Sequence, residues 1–251
     1  MNKKDYKIFA ILVAYNAEKA LKKFYKNFPK HLFDEIILVD DASPDNTYEL
    51  ALELGIRAYK NQNNLGYGGN MKRALNIALD EKADIIVDLH PDGEYKPSAI
   101  EPALKQMRES ESEFVLGTRF TDFKQLIKSG IFFWKIPVIV LLNYFPRLFF
   151  KTDLNDLHQG FRVYSKNLLN AVNFNKNSDN FIFSFQIIVQ AIAKGICITQ
   201  VPVETSYEGK KRGASLKNSV VYTIEVFKVL FLYTLYRIGF KVEIFDNPEN
   251  I

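Results

Sequence analysis

The sequence has few of the residues that build cross-linked or metal-clustered folds: its 251 residues include one cysteine, Cys197, three histidines and one tryptophan. A single cysteine excludes a disulfide framework and any zinc site made of several thiolates. The chain also has little excess charge, with a formal net charge of +4, which is too weak to indicate nucleic acid as a partner. Because 47% of the residues are hydrophobic, we expect a folded chain with a core of its own.

No leader and no uninterrupted apolar run is evident. Met1–Lys7 is polar and charged and leads directly into the apolar Ile8–Ala14, without the order of regions that marks a signal peptide. The two most hydrophobic stretches, Ile131–Phe150 and Val220–Phe240, contain prolines or charged residues. They fall short of the ~20 consecutive apolar residues that a spanning helix needs. The sequence therefore predicts a cytoplasmic chain that is soluble or peripheral.

Aromatic residues are abundant and unevenly placed. Of the 35, 14 lie in residues 1–130 and 21 in residues 131–251. On Val220–Phe240 the apolar residues cover nearly the whole helix circumference, which favours contact with lipid or a partner over one solvated face. We expect peripheral association with the inner face of the membrane; core packing and a homodimer are the alternatives.

The first 120 residues alternate between short apolar runs and amphipathic segments. Strands are predicted at Ile8–Ala14, Glu35–Val39, Arg57–Lys60, Ile85–Leu89 and Phe114–Gly117, and helices at Ala17–Phe28, Asn46–Leu54, Leu65–Ala78 and Pro97–Arg108. This order is typical of an α/β fold with an open, mostly parallel sheet. Beyond Phe120 we expect helices at Lys166–Val172, Phe181–Lys194 and Asn218–Arg237 and a strand at Ile196–Val203, with prolines interrupting residues 131–150.

Polar residues follow each of the five predicted strands. In an open parallel sheet, ligands bind at these strand ends. The residues are Tyr15, Asn16 and Glu18; Asp40 and Asp41; Asn61, Asn63 and the glycine cluster Gly66–Gly69; the run from Asp88 to Pro97; and Thr118 with Arg119. Carboxylates, amides and an arginine are thus predicted to converge on one edge.

These residues resemble a known family. Tyr15-Asn16-x-Glu18, Val39 to Thr47 (VDDASPDNT) and Asn63-x-x-Gly66-x-Gly68 are similar to the opening motifs of family 2 glycosyltransferases of the GT-A fold. Leu116 to Phe120 (LGTRF) and Asp156 to Arg162 (DLHQGFR) resemble the polyprenyl-phosphate (dolichol-phosphate) mannosyl- and glucosyltransferase branch. The resemblance spans about residues 7–217.

The resemblance implies a Rossmann-like GT-A domain over residues 1–217, followed by a C-terminal helix and tail at 218–251. Residues 1–120 would bind the nucleotide-sugar donor, and residues 121–217 the acceptor. The implied activity moves a sugar from a UDP- or GDP-sugar to an acceptor by inverting displacement, with a polyprenyl phosphate as the first candidate acceptor. A transferase that uses a glycan hydroxyl in cell-surface polysaccharide synthesis is one alternative. A degenerate homologue that only binds nucleotide sugar is the other.

The donor residues implied by the resemblance lie in the loops after the strands and in the late basic loop. They are Ala14, Tyr15, Asn16, Glu18, Asp40, Asp41, Asn63, Gly66, Gly69, Asp88, His90, Arg212 and Lys217. Asp41 can accept hydrogen bonds from nucleobase N–H groups. Asp40 and Asn16 would flank the base and ribose. The Gly66–Gly69 amides suit a diphosphate or ribose at a helix start, although their spacing is not the dinucleotide fingerprint.

The metal motif departs from the family pattern, because His90-Pro91-Asp92 stands where two aspartates are usual. Asp92 and Glu94 offer oxygen ligands suited to Mg²⁺ or Mn²⁺, whereas the His90 imidazole is acceptable to Mn²⁺ and poor for Mg²⁺. Asp88 could substitute for the first aspartate or be turned inwards. Whether His90 or Asp88 takes that place stays open at this point.

The implied catalytic residues are Asp92, Arg119, Asp156 and Arg162. The two arginines could add positive charge at the diphosphate or at an acceptor phosphate. A phosphate acceptor is already ionised and needs no base, whereas a hydroxyl acceptor needs one, and Asp156 or His158 is the candidate. Alternatively, Asp156 is a structural partner of Arg162.

Overall fold

The computed structural model describes residues 6–93, 95–119, 136–204 and 216–247. Its sheet contains β1 (Ile8–Ala14), β2 (Glu35–Asp40), β3 (Arg57–Lys60), β4 (Ile85–Asp88), β5 (Phe114–Thr118), β6 (Arg162–Ser165) and β7 (Ile198–Pro202). The strand order is β3-β2-β1-β4-β6-β5-β7. Among the strands in the described ranges, only β6 runs antiparallel to its neighbours, β4 and β5. The predicted open, mostly parallel α/β sheet is confirmed.

Helices cover both faces of the sheet. They are α1 (Glu18–Lys26), α2 (Thr47–Glu53), α3 (Gly66–Asp80), α4 (Ile100–Glu109), α5 (Ile136–Phe150), α6 (Lys166–Ala171), α7 (Phe183–Ala193) and α8 (Leu216–Arg237). Side chains alternate between the faces of a strand, so β1 contributes Ile11 to one core, with α3, α7 and α8, and Leu12 to the other, with α1 and α4. Both faces of β1 are buried, which explains why its sequence is continuously apolar.

Two elements of the second half were not predicted from the sequence. β6 is only four residues long and begins on a charged residue, Arg162, so it shows no apolar run. α5 forms despite its two prolines. Pro137 lies in its first turn, where the missing N–H would be unpaired in any case. Pro146 lies inside the helix and there removes one backbone hydrogen bond.

The last long helix, α8, has apolar residues on two opposite faces. Val226, Val229 and Leu230 are buried in the core, whereas Ile224 and Phe231 are 64% and 62% exposed. Within α8, Asn218–Arg237 is long and apolar enough to cross a membrane, judged by length and composition only, and 22% of its most apolar window is buried. The expectation that this segment lies at the membrane surface stays a prediction.

Candidate functional site

The loops after β1, β2 and β3 meet at the carboxyl edge of the sheet, with Asp41 at their junction. Asp41 Oδ1 accepts hydrogen bonds from Asn61 Nδ2 at 2.7 Å and from the backbone N–H of Leu65 at 2.8 Å. The backbone N–H of Asp41 donates to Ala14 O at 2.9 Å. Oδ2 makes no such contact within the described part of the chain. Asp41 therefore holds three loops together through one carboxylate oxygen and its backbone.

Asp40 shapes the neighbouring loop from inside. It is fully buried, and its Oδ1 accepts a short hydrogen bond from the Ser43 hydroxyl, which in turn accepts from the Asn16 N–H at 2.9 Å. Burial raises the pKa of Asp40, and the hydrogen bonds from Ser43 oppose that shift. The expectation that Asp40 flanks a base directly is corrected, because no part of it is exposed. Asn16, in a left-handed conformation with φ of 54°, is the exposed end of this chain of contacts.

Glu18 also has a structural partner. Its Oε1 accepts from Asn46 Nδ2 at 3.0 Å, and its backbone N–H donates to Asp45 Oδ2 at 3.2 Å. These contacts join the loops after β1 and β2. Two side chains of the first loop remain exposed: Tyr15, which is 54% exposed, and Asn16.

Another segment of the chain, residues 178–180, packs against the glycine cluster at the start of α3. The N–H groups of Gly68 and Gly69 donate to the backbone oxygen of Asp179, at 2.7 and 3.3 Å, and the N–H of Gly66 donates to Asn64 Oδ1 at 3.1 Å. A Cβ on Gly68 would lie 2.2 Å from the Ser178 oxygen. The expectation that Gly66 and Gly69 present free amides to a diphosphate is therefore corrected. Exposed Asn63 lies beside the cluster.

Asp88 is turned inwards at the end of β4. It is fully buried and lies opposite Arg162 in the β4–β6 pair. Burial raises the pKa of Asp88, while His90 and then Arg162 act to lower it. Burial alone would lower the pKa of Arg162, but Tyr67, Tyr164 and Asp88 together raise it. The two buried residues thus face each other across the β4–β6 pair, and Asp88 comes just before the metal motif in the chain.

The metal motif itself is split between the interior and the surface. The half-buried His90 ring stacks on Tyr67 with 5.3 Å between centroids, and Tyr67 stacks on Phe181 at the same distance. Asp92 is exposed, and Glu94 lies outside the described residues. Within the described ranges, no three or more His, Cys, Asp or Glu side chains are grouped to hold a metal ion.

Tyr67 was missed in the sequence. It is half-buried, its hydroxyl lies 2.9 Å from Ser184 Oγ, and desolvation raises its pKa to about 12. The available signal was an aromatic side chain placed inside a glycine-rich turn.

Arg119 and Asp156 form a buried, two-pronged ion pair. Arg119 Nε donates to Oδ2 at 2.7 Å and Nη2 to Oδ1 at 3.0 Å, and Asp156 is 1% exposed. The alternative that Asp156 pairs with Arg162 is therefore wrong. Arg162 instead donates from Nη1 to Gly160 O at 3.2 Å.

His158 is held by both ring nitrogens. Nδ1 lies 2.8 Å from the Tyr222 hydroxyl and Nε2 lies 2.9 Å from Leu142 O. Burial lowers the pKa of His158 to about 4, so the ring is neutral near pH 7. Because a carbonyl can only accept, Nε2 carries the hydrogen and Nδ1 accepts from Tyr222. His158 thereby ties α5 and α8 to the motif 156–162.

Two of the predicted basic residues have no described side chain. Arg212 lies outside the described residues, and Lys217 belongs to α8 with only its backbone described.

The fold and sequence match known proteins. A UDP-N-acetylglucosamine–dolichyl-phosphate N-acetylglucosaminyltransferase of Methanococcus voltae is 27% identical over 225 residues, covering 81% of this chain and 87% of that protein. Glucosyl-3-phosphoglycerate synthase from Mycobacterium tuberculosis, solved with Mn²⁺, UDP and phosphoglyceric acid, superposes with a TM-score of 0.67 at 17% identity, covering 95% of this chain and 80% of that chain. The same synthase with Mg²⁺ and UDP gives a TM-score of 0.66 at 17% identity, covering 95% and 81%. These structures share the GT-A fold.

The model of the family described as Glycosyl transferase family 2 matches residues 9–172. That range runs from the second residue of β1 through β6. The site residues outside it are those of α7 and α8, those of the segment joining α6 to α7, and Arg212. Because the matched range covers well over half of the chain, this protein belongs to glycosyltransferase family 2 and is a glycosyltransferase.

Proposed function

We propose that this enzyme transfers a sugar from a UDP- or GDP-sugar to a polyprenyl phosphate, by inverting displacement and with a divalent cation. The observation that supports the proposal is that Asp156 and His158 are both engaged in contacts within the protein. Asp156 is buried against Arg119, and His158 is neutral and held at both nitrogens. Neither residue that the sequence offered as a base is free to take a proton from a hydroxyl. A phosphate oxygen is already ionised near neutral pH and needs no such base.

The donor would lie across the exposed ends of the first loops. Asp41 Oδ2 is the carboxylate oxygen left for the nucleobase, and Tyr15 and Asn16 are the neighbouring exposed side chains. The bases of UDP- and GDP-sugars both present N–H groups that can donate hydrogen bonds to a carboxylate. The acceptor class is supported by the dolichyl-phosphate named for the Methanococcus voltae relative.

The cation would be held by Asp92 and His90, with Glu94 as a further ligand and the donor diphosphate completing the coordination. Asp92 fits this role because its carboxylate is exposed at the strand edge, and ions such as Mg²⁺ are commonly bound by one or two carboxylates together with substrate phosphates. When bound, the cation supplies positive charge that stabilises the leaving diphosphate. Arg119, which is ordered by its ion pair with Asp156, would add charge at the same edge.

The exposed apolar surface of α5 and α8 is the proposed membrane contact. It comprises Tyr144, Phe145, Leu148, Phe149, Val220, Val221, Ile224, Phe227 and Phe231, each at least 38% exposed. The two helices meet there, with the rings of Phe145 and Phe227 5.5 Å apart. Exposed Lys228 and Arg237 flank it and would favour anionic headgroups. Because the opposite face of α8 is packed in the core, we propose peripheral binding at the cytoplasmic leaflet, where a lipid phosphate can reach the site.

A donor-by-acceptor assay tests the function. UDP- and GDP-sugars are incubated with polyprenyl phosphate or soluble glycans, with Mg²⁺, Mn²⁺ or chelator, and organic extraction measures lipid-linked sugar. We expect cation-dependent product with the phosphate acceptor that is lost in Asp92→Asn and kept in Asp80→Asn, which changes an exposed aspartate at the end of α3. Product on a glycan hydroxyl alone would refute the acceptor. Nucleotide binding without turnover on any pair would indicate the degenerate homologue.

Vesicle flotation tests the membrane contact. We expect the wild-type chain to float with anionic vesicles and Phe231→Ser with Ile224→Ser to float much less, because both side chains are exposed and apolar. Leu52→Ser is the matched control, since Leu52 is 49% exposed on α2, away from α5 and α8. Equal flotation of both variants would refute this surface as the contact.

A further inference from the structure

Phe181 is the most exposed of the large hydrophobic side chains in the described ranges, at 66%. A single exposed apolar side chain needs no explanation by itself, but Phe181 lies at the candidate site. Its ring stacks on Tyr67 with 5.3 Å between centroids, and Tyr67 stacks at the same distance on His90 of the metal motif. Two ring contacts thus connect the exposed ring to the metal motif.

Residues 177–180, which lead into Phe181 and α7, are fixed from two sides. On the side of α3, Lys72 Nζ donates to the Asn177 backbone oxygen at 2.8 Å and pairs with Asp179 Oδ1 at 2.6 Å. These two contacts are additional to the hydrogen bonds that the glycine cluster donates to Asp179. The backbone before the exposed ring is therefore held against α3 by both charge and hydrogen bonds.

The second side is α7 itself. Gln186 Oε1 accepts from the Ser178 N–H at 2.8 Å. Gln190, which is fully buried, donates from Nε2 to Asn177 Oδ1 at 2.6 Å. Because the segment is already ordered by these contacts, a ligand that covers Phe181 does not have to immobilise it, and such preorganisation favours binding.

The first turn of α7, two residues after Phe181, also contacts the acceptor side. Ser184 Oγ lies 2.9 Å from the Tyr67 hydroxyl, and the Phe185 ring lies 5.0 Å from the ring of His158. His158 in turn holds α5 and α8, whose exposed surface is the proposed membrane contact. Phe181 therefore lies where the metal motif and the acceptor side meet.

A polyprenyl phosphate would bring its apolar chain to this point. Its phosphate oxygen attacks the sugar carbon that carries the leaving diphosphate, so its phosphate must lie close to the cation. The first isoprene units then extend from there towards the membrane. Covering an exposed aromatic ring with these units removes apolar surface of both partners from water, which is favourable. A glycan acceptor would place hydroxyl groups in the same position and gain less.

We infer that Phe181 binds the isoprene units nearest to the acceptor phosphate and thereby determines specificity for an isoprenyl acceptor over a hydrophilic one. The inference rests on the polyprenyl-phosphate acceptor proposed above. Phe181 takes no part in the chemical step, so its replacement should weaken binding of the acceptor and leave binding of the donor unchanged.

Steady-state kinetics with geranyl phosphate test the inference, since this two-isoprene acceptor reaches the site from solution without vesicles. We expect Phe181→Ala to raise the KM for geranyl phosphate about tenfold, as loss of most of the apolar contact of one phenylalanine would. The KM for the nucleotide sugar should stay at the wild-type value. Phe181→Leu, which keeps an apolar side chain, should recover most of the affinity. Leu52→Ala, at an exposed residue of α2, should match the wild type.

The contrary outcomes are distinct. An active wild type and an unchanged KM for geranyl phosphate in Phe181→Ala would overturn the inference and leave the proposed function standing. A higher KM for the nucleotide sugar alone would also overturn it, because the ring would then bind the transferred sugar. Absence of lipid-linked product in the wild type with every donor would overturn the proposed function and the inference together. If Phe181→Ala does not fold, as judged by circular dichroism, Phe181→Gln replaces it, because a polar side chain of similar length removes the apolar contact without opening a gap.

Discussion

The donor side of the site, formed by the loops 14–18 and 40–47, is held together differently from the acceptor side, formed by residues 154–162 with α5 and α8. On the donor side, several hydrogen bonds join two adjacent loops, among them Asn16 to Ser43, Ala17 to Thr47, Glu18 to Asp45 and Asn46 to Glu18. On the acceptor side, single residues fix distant segments, as Asp156 does for Arg119 and His158 for Leu142 and Tyr222. Redundant contacts should tolerate single changes, and single buried contacts should not.

Asp156→Ala should have the largest effect, because it removes the carboxylate that pairs with a largely buried guanidinium: the Arg119 side chain is 14% exposed. Leaving one charge of a buried pair without its partner typically costs about 3–5 kcal/mol. Urea unfolding followed by circular dichroism measures the loss. The control is Asp153→Ala, whose side chain is fully exposed and pairs with Arg147 at 3.5 Å. Equal stabilities for the two variants would show that the acceptor side does not depend on this pair.

The pH dependence of stability should come second. His158 has a pKa of about 4 in the folded state, lowered by burial, and about 6.5 when unfolded. Between these values the unfolded chain binds a proton that the folded chain does not. Stability should therefore fall as the pH drops from about 6.5 and level off below about 4, by up to about 3 kcal/mol. Urea unfolding across this range, with wild type compared with His158→Gln, isolates the contribution.

His31→Gln is the control for that comparison, because His31 is exposed. It should keep the wild-type pH dependence, whereas His158→Gln should flatten it. The same slope in all three proteins would mean that His158 is not held neutral.

The strands beneath the donor side could be predicted from the sequence because their patterns are local. β1, β2, β4 and β5 are mostly apolar runs, and Tyr15, Asn16 and Asp41 directly follow two of them. The acceptor side could not be read in this way. The sequence offered Arg162 as the structural partner of Asp156, whereas in the folded chain Arg119 takes that place.

The glycine cluster shows the same limit. The sequence correctly placed Gly66–Gly69 at the start of a helix. The segment that packs against these glycines and accepts their N–H hydrogen bonds, residues 178–180, lies more than 100 residues further along the chain. No residue near the cluster in the sequence indicates that contact, so binding of a ligand by the amides was the hypothesis.

Gly68→Ala tests this contact between α3 and residues 178–180 and should have the third largest effect. Its Cβ would lie 2.2 Å from the Ser178 oxygen and 2.8 Å from the Asp179 carbonyl carbon, both backbone atoms that cannot rotate away. Overpacking of this kind costs about 2–3 kcal/mol. Thermal unfolding measures the cost, and Asp80→Ala at the exposed end of the same helix should change little. Unaltered stability in Gly68→Ala would show that residues 178–180 do not pack on α3 in solution.

Ser43→Ala should have the smallest effect, although Ser43 is nearly as buried as Asp156. The change removes the hydroxyl that accepts from Asn16 and donates to Asp40, and two lost hydrogen bonds cost about 1–2 kcal/mol. The remaining contacts from Ala17, Glu18 and Asn46 should keep the two loops together. The affinity for UDP or GDP, measured by calorimetry, should therefore fall only slightly. Ser98→Ala, at an exposed serine, provides the reference. A loss of stability as large as that of Asp156→Ala would mean that the donor side also depends on one contact, and the contrast between the two sides would be wrong.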